Sequence, residues 1–352
     1  MNKEMKKFFK TLVETASPSG FEQEAQKVYR DFVTPYADEV KTDVHGNVIA
    51  LKKGKGNLRF MISGHADEIG LMITYIDENG YLYFRGIGGV DASLLPGLRV
   101  DIYPRNSKKL RGIIGRKAIH MMREDENKKI KMEGLWIDIG AKDKKAAEKR
   151  VQVGDYVTFS KGMETLYKDV ITTKATDNKA GVYIAAAVLK ELADKDIDAN
   201  YYAVSSVQEE IGLRGAKTSA FGIDPHVGIA VDVTFATDHP DTNKKIIGDI
   251  KIGAGPVVSR GGNINPKVFE LLEESAKDEK VKYQVEAAPR ATGTDANAIQ
   301  VTRAGVAAGL VSIPNRYMHT PNEVISLNDL DAAVKILVKF IEKLNDNIDF
   351  TP

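Results

Sequence analysis

The chain has 352 residues, 43% hydrophobic and 28% charged, which is enough for a large buried core and for two domains. Lys+Arg 50 against Asp+Glu 49 leaves a net charge of +1, which argues against nucleic-acid binding by bulk charge. Cys is absent, so disulfides, thiolate-bound zinc and thiol nucleophiles are excluded, and any metal must be held by His and carboxylate.

The first seven residues are basic, but Phe8 to Glu14 carry charges at intervals where a secretory core would be uninterrupted. This stretch reads as an amphipathic helix ending at Ser17-Pro18-Ser19-Gly20, with a second short helical stretch after the turn. No run approaches ~18 consecutive apolar residues, so the expectation is a cytoplasmic protein without a membrane partner. Strands are predicted around Asn47 to Lys52 and Leu58 to Ser63. From about Gly70 to Ser160 short alternating segments such as Leu71 to Tyr75 and Val100 to Tyr103 are punctuated by turns such as Glu78-Asn79-Gly80, the pattern of a small all-β module. After Lys168 the pattern changes to an Ala-rich helix (Lys179 to Leu192) and strands over Tyr201 to Val207 and Val227 to Val233. A helix-strand pair then covers Asp295 to Ile313. A final amphipathic helix runs from Leu327 to Leu344, with a cap expected at Asn328 or Asp329. Alternating helices and strands mean an α/β sandwich. It is expected in two pieces, 1–69 and 166–352, with the β module at 70–165 inserted between them.

Glu209 and Glu210 stand side by side in Ser205-Ser206-Val207-Gln208-Glu209-Glu210-Ile211-Gly212, at the mouth of a buried strand. Two carboxylates there repel and lose hydration, and a bound cation is the commonest compensation. Neighbouring side chains on extended backbone point apart, so one can hold a metal while the other handles a proton. His65, Asp177, Asp232 and His319 also fall at or just beyond predicted strand ends, the edge at which open α/β sheets bind ligands. Two His and three or four carboxylates suit Zn²⁺, Co²⁺ or Mn²⁺, and suffice for two ions if one carboxylate bridges. Asp67 is placed to orient the His65 ring.

Gly64-His65-Ala66-Asp67-Glu68-Ile69-Gly70, Asp177-Asn178-Lys179-Ala180-Gly181, Gln208 to Ala216, Ala230-Val231-Asp232 and Arg316-Tyr317-Met318-His319-Thr320-Pro321 resemble, in order and over essentially the whole chain, the dinuclear-metal aminopeptidases that assemble into tetrahedral dodecamers. Glutamyl and deblocking aminopeptidases and proteins once labelled cellulase M belong to that family, and Pro18-Ser19-Gly20-Phe21-Glu22 and Gly293-Thr294-Asp295-Ala296 also look like its motifs. The resemblance implies a zinc-peptidase-like mixed sheet flanked by helices, with the inserted β module, PDZ- or barrel-like, serving dimerisation. It implies two divalent ions per subunit: one on His65 and Asp232, one on Glu210 and His319, with Asp177 bridging. Glu209 would be the general base, Asp67 would stand behind His65, and peptides would be the substrates. One departure is Lys179, where the family usually has Arg; the charge is kept and a bidentate fork is lost.

Gly293, Thr294 and Asp295 are expected to open a helix whose positive end faces substrate, with Arg260 or Arg290 as partners for an acidic side chain and His120 as a residue reaching a neighbouring subunit's site. Asp238-His239-Pro240 is a further candidate for the cleft. Three other readings compete. A glycosidase needs carboxylates facing each other ~5 to 10 Å apart, which adjacent glutamates do not provide. A carboxypeptidase or amide deacylase on the same scaffold, and a non-catalytic peptide-binding scaffold built on the β insert, are the others.

Overall fold

The computed structural model describes residues 1–105, 107–122 and 129–352. Helix α1 (Lys3–Glu14) starts at Asn2, whose side chain accepts from Met5 N, and it buries Met5, Phe8, Phe9, Leu12 and Val13. That three- and four-residue spacing makes one apolar face. Helix α2 (Gln23–Val33) follows the Pro18-Ser19-Gly20 turn, and strands β1 (Glu39–Thr42), β2 (Val48–Lys52) and β3 (Arg59–His65) come next. Strands β4 (Gly70–Ile76), β5 (Leu82–Ile87), β6 (Arg99–Tyr103), β7 (Leu110–Gly115) and β8 (Trp136–Asp138), then a short helix α3 (Lys144–Glu148) and β9 (Tyr156–Phe159), form the next section. The strands close into a barrel in the order β4-β5-β8-β7-β6-β9, filled by Leu71, Ile73, Leu82, Ile102, Ile137 and Val157. Closure leaves no free strand edges.

The remainder supplies β10 (Glu164–Tyr167), β11 (Val170–Thr173), α4 (Thr176–Leu192), β12 (Asn200–Ser206), α5 (Arg214–Ile223), β13 (Val227–Phe235) and α6 (Lys244–Ile247). After these come β14 (Val257–Gly261), α7 (Pro266–Asp278), β15 (Gln284–Ala288), α8 (Asp295–Gln300), β16 (Ala307–Asn315), β17 (Glu323–Ser326) and α9 (Leu327–Lys343). An eight-stranded mixed sheet runs β1-β2-β12-β3-β13-β16-β14-β15, its central β12, β3, β13 and β16 parallel. Strands β10, β11 and β17 make a second, smaller sheet. Among the described residues no helix is long and apolar enough to cross a membrane.

Helix α4 is buried on almost every side, between β3 and β13 on one flank and α1 and α9 on the other. Glycine makes this possible. A Cβ at Gly64 of β3 would stand 2.3 Å from Gly181 C, and one at Gly181 would stand 2.4 Å from Val231 O. The helix therefore lies directly on the sheet backbone, and its first residues are pinned beside the ends of β3 and β13.

Two local expectations differ from the structure. Ser326 caps α9, its side chain accepting from Asn328 N at 3.2 Å. Asp329 is occupied elsewhere: its carboxylate accepts Gly253 N at 2.7 Å and Gly255 N at 2.9 Å, tying the 253–255 loop to α9. Strand β13 runs past its expected end at Val233 to Phe235, because β16 pairs with it over nine positions, including Asp232 with Ser312, so Asp232 lies further inside the strand than expected.

Candidate metal centre

Five segments converge above the C-terminal ends of the parallel strands. β3 ends on His65, and β13, its neighbour, carries Asp232. Beyond β12 the backbone turns sharply, with Gln208 at φ 56° and Gly212 at φ 125°, and this turn presents Glu209 and Glu210. Asp177 and Asn178 have non-helical dihedrals, with a cis peptide between them, so Asp177 stands off the regular part of α4. Asn178 fastens this corner by donating Nδ2 to Val231 O at 2.8 Å and accepting Gly181 N at 3.0 Å. His319, at φ 60°, comes from the loop after β16.

The Asp177 carboxylate lies between the two imidazoles. His65 Nε2 is 3.2 Å from Asp177 Oδ1, and His319 Nε2 is 3.2 Å from Asp177 Oδ2. His65 Nε2 also faces Glu209 Oε2 at 3.6 Å and Asp232 Oδ1 at 3.9 Å, while His319 Nε2 faces Glu210 Oε1 at 3.6 Å. Ligand atoms of His65, Glu209 and Asp232 form one cluster and those of Asp177, Glu210 and His319 another, each within 4.8 Å of one another. In both rings Nδ1 meets a backbone carbonyl, Asp67 O at 3.1 Å for His65 and Gly89 O at 3.0 Å for His319. A carbonyl only accepts, so each Nδ1 carries a proton, and Nε2, which faces the acids, is the nitrogen that would give its lone pair to a cation in exchange for its own proton.

The charges make the same point. Burial and the neighbouring acids Asp295, Asp177 and Glu210 push the Glu209 carboxyl up to about 8, against the pull of His65. Burial and Asp177 raise Glu210 to about 8. Asp232 is raised well above the carboxylate range by burial, with Asp177 and Glu209 adding to the rise. Burial also works against the Asp177 anion, but hydrogen bonds from His319 and His65 outweigh it and hold that carboxyl below its ordinary value. Hydrogen bonding to Asp177 raises His319 to about 9. Acids crowded enough to suppress one another's ionisation form a set that a divalent cation neutralises. Glu210 Oε1, buried without a hydrogen-bond partner, is the orphaned acceptor such a cation would satisfy. The oxygen and imidazole donors fit Zn²⁺, Co²⁺ or Mn²⁺.

Several supporting contacts emerge only here. The Asp67 carboxylate does not take the ring N–H of His65 and stands 3.5 Å from it. It accepts Glu209 N at 3.0 Å, Glu210 N at 3.2 Å and Ser19 Oγ at 2.6 Å, so it clamps the turn that presents both glutamates. Glu323 accepts Thr176 Oγ1, Asp177 N and His319 N, tying the Asp177 and His319 segments together. Gly88 and Gly89 reach in from the barrel, where a Cβ on Gly89 would stand 2.8 Å from His319 Nδ1. Lys179 does not touch the cluster. With Lys174 it converges on buried Glu68, whose Oε1 is 2.7 Å from Lys174 Nζ and 3.4 Å from Lys179 Nζ.

Other sequence candidates are distributed differently. Gly293, Thr294 and Arg290 line the cleft of about 690 Å³ that opens onto the cluster. Asp295 is buried beneath it, accepting Ser63 Oγ at 2.8 Å and Ser206 Oγ at 2.7 Å. Arg260 lies outside the cleft with its guanidinium 5.5 Å from the Phe269 ring, because its strand position turns it toward α7. His120 is exposed in a short turn after β7 and is not brought to the cleft of its own chain. Asp238 is engaged by Arg316 through two hydrogen bonds at 2.7 and 2.6 Å, and His239 rests against Tyr317.

The M42 glutamyl aminopeptidase family is matched by residues 46–336. The chain belongs to that family. This M42 sequence is 38% identical over 347 residues to the lysyl aminopeptidase of Pyrococcus furiosus, covering 97% of this chain and 98% of the relative. Its fold superposes on the TET aminopeptidase of a marine-sediment Thaumarchaeota archaeon with a TM-score of 0.93, at 31% identity and 98% coverage of each chain. The TET1 peptidase of Pyrococcus horikoshii, which assembles into a tetrahedron or a large octahedral shell, matches at a TM-score of 0.86 and 29% identity, covering 97% of this chain and all of that one. The M42 architecture of mixed sheet, flanking helices and barrel is thus present throughout.

Proposed function

We propose that this chain is a dinuclear-metal aminopeptidase that removes the N-terminal residue of unblocked peptides. The observation that carries the reading is the Asp177 carboxylate set between His65 and His319, with one acid cluster on each side. His65 and Asp232 would hold one divalent ion, Glu210 and His319 the other, and Asp177 would bridge them. Zn²⁺ or Co²⁺ is the expected occupant, with Mn²⁺ also compatible. When bound, the two ions supply Lewis acidity toward a water and the scissile carbonyl. The Glu209 carboxylate takes the proton from the attacking water and delivers it to the nitrogen of the leaving peptide. Asp67 keeps Glu209 in place through its main-chain amide, and the deep, buried setting limits competing solvent.

Residues 1–69 and 166–352 form the catalytic unit in this reading, and the barrel at 70–165 forms dimers that build a dodecameric shell like that of the P. horikoshii peptidase. Light scattering of the purified protein checks the assembly. The relatives divide over the side chain removed: the family is described as glutamyl, and the P. furiosus relative as lysyl.

The decisive assay is hydrolysis of unblocked amino-acid p-nitroanilides after metal stripping and reloading with Co²⁺, Zn²⁺ or Mn²⁺. Glu209→Gln should retain both ions by elemental analysis and lose at least ~10²-fold in kcat. A variant near wild-type activity would remove Glu209 from the mechanism. Turnover restricted to N-acylated dipeptides would assign the scaffold to amide deacylation instead.

A further inference from the structure

Among the described residues that line the cleft, one acidic group is not used by the proposed chemistry. Glu286 lies at the middle of β15 and lines the cleft, and its Oε2 accepts a hydrogen bond from Thr234 Oγ1 at 2.8 Å. Thr234 stands two residues beyond Asp232 on β13, so both side chains leave the same face of that strand. β16 and β14 separate β13 from β15 in the sheet. In a flat sheet three strand spacings of about 4.8 Å would carry Glu286 beyond reach of Thr234. β14 pairs with β16 only at Val257 with Ser312 and Val258 with Val311. The end of the sheet therefore curls over, and it delivers the Glu286 carboxylate to the wall of the cleft beside the strand that carries Asp232.

This carboxylate has no cationic partner among the described residues; the Thr234 hydroxyl is its one side-chain bond, and burial raises its carboxyl above the ordinary range. Asp177, Glu209, Glu210 and Asp232 balance two divalent ions, which leaves Glu286 as uncompensated negative charge. Arg290, the one arginine among the described residues that line the cleft, is exposed on the loop after β15, where water already solvates it. Leu310 and Met318 give the space apolar walls.

Resting on the aminopeptidase reading, we propose that Glu286 is a specificity-determining residue that selects substrates with a cationic N-terminal side chain, lysine or arginine. The methylenes of such a side chain lie against the apolar wall while its charged head meets the carboxylate. A neutral side chain of equal length excludes water from Glu286 and leaves it unpaired, and an acidic one adds repulsion.

The test compares kcat/KM for lysyl, arginyl, leucyl and glutamyl p-nitroanilides on the metal-loaded protein and its Glu286→Gln variant. Lysyl and arginyl substrates should exceed leucyl by roughly ten- to a hundred-fold, and in the variant that ratio should fall to within about three-fold of unity. A second readout needs no turnover: metal-loaded Glu209→Gln, titrated calorimetrically, should bind lysinamide at least ~10-fold more tightly than norleucinamide, a margin that the Glu209→Gln/Glu286→Gln double variant loses. Leucyl turnover without a basic preference, a glutamyl preference set by Arg290, or a basic preference that survives Glu286→Gln overturns the assignment. Absence of turnover on every unblocked substrate overturns the aminopeptidase reading instead, and the calorimetric margin then decides Glu286 by itself.

Discussion

Gly181→Ala tests whether the close approach of α4 to the sheet is what sets the position of Asp177. The added Cβ would stand 2.4 Å from Val231 O and 2.7 Å from Asn178 Oδ1. Carbon and carbonyl oxygen approach no closer than about 3.3 to 3.6 Å, so the helix start must retreat by ~1 Å. Neither neighbour yields easily, since Val231 O accepts Asn178 Nδ2 and Asn178 Oδ1 accepts Gly181 N. Overpacking of this kind costs about 1–3 kcal/mol. The catalytic cost should be larger than the stability cost suggests. Asp177 lies four residues before Gly181 and sits 3.2 Å from each imidazole, and a displacement of ~1 Å in such a group costs roughly 10²-fold in rate. Urea unfolding measures the first effect, and kcat/KM with elemental analysis of bound metal measures the second. Gly222→Ala on α5 is the control. Nothing lies within 4 Å of its added Cβ, and its stability should be unchanged or higher by about 0.5–1 kcal/mol, the ordinary helical preference for alanine. Wild-type stability and rate in Gly181→Ala would refute the close-approach argument.

Three further outcomes follow from other parts of the structure. Glu68→Ala leaves the buried Lys174 and Lys179 ammonium groups without their shared carboxylate, and should lower the unfolding free energy by about 3–5 kcal/mol. Burial already pushes Lys179 down to about 7, so the lower half of that range is expected at neutral pH, and a loss under ~1 kcal/mol in urea titration would show the pair is dispensable. Burial raises Asp329 to about 6, against the pull of the Gly253 and Gly255 amides. A carboxyl raised on folding stabilises fully below its unfolded value near 4, and that contribution is lost as pH rises through about 6. Asp329→Asn should therefore gain stability relative to wild type between pH 4 and 7, by at most roughly 3 kcal/mol, and a pH-independent difference in denaturation midpoints would refute it. Glu209→Gln supplies the catalytic test, with metal retained and turnover lost.

The α/β layering and the inserted all-β module were legible because each leaves a periodic trace: alternation in Leu71 to Tyr75, helical spacing in the Ala-rich α4, and turn residues between short strands; the mixed sheet and the barrel came from the family resemblance. Candidate ligands were legible for a different reason. Only His and carboxylate can hold a hard or borderline cation in a chain without Cys, and His65, Asp177, Glu209, Glu210, Asp232 and His319 stand at or near strand ends or sharp turns where polar residues interrupt apolar runs. The supporting shell left no such trace. Asp67 does stand behind the His65 ring, its carbonyl on Nδ1 and its carboxylate 3.5 Å away, but that the same carboxylate also holds the Glu209 and Glu210 amides is decided by packing. Arg260 carried the right charge for an acidic substrate, but its strand position turns it to Phe269.

The sequence by itself determined which elements form and which side chains carry metal-ligating chemistry, since backbone preference, burial pattern and ligand chemistry are properties of residue type and local order. Tertiary structure alone decided how those side chains meet. Gly64 and Gly181 allow α4 onto the sheet backbone, Gly89 reaches from the barrel to fix the His319 ring, and the curl of the sheet carries Glu286 into the cleft. Each of these depends on atoms far apart in the chain coming within van der Waals or hydrogen-bond distance, and that distance is set by the packing of whole elements.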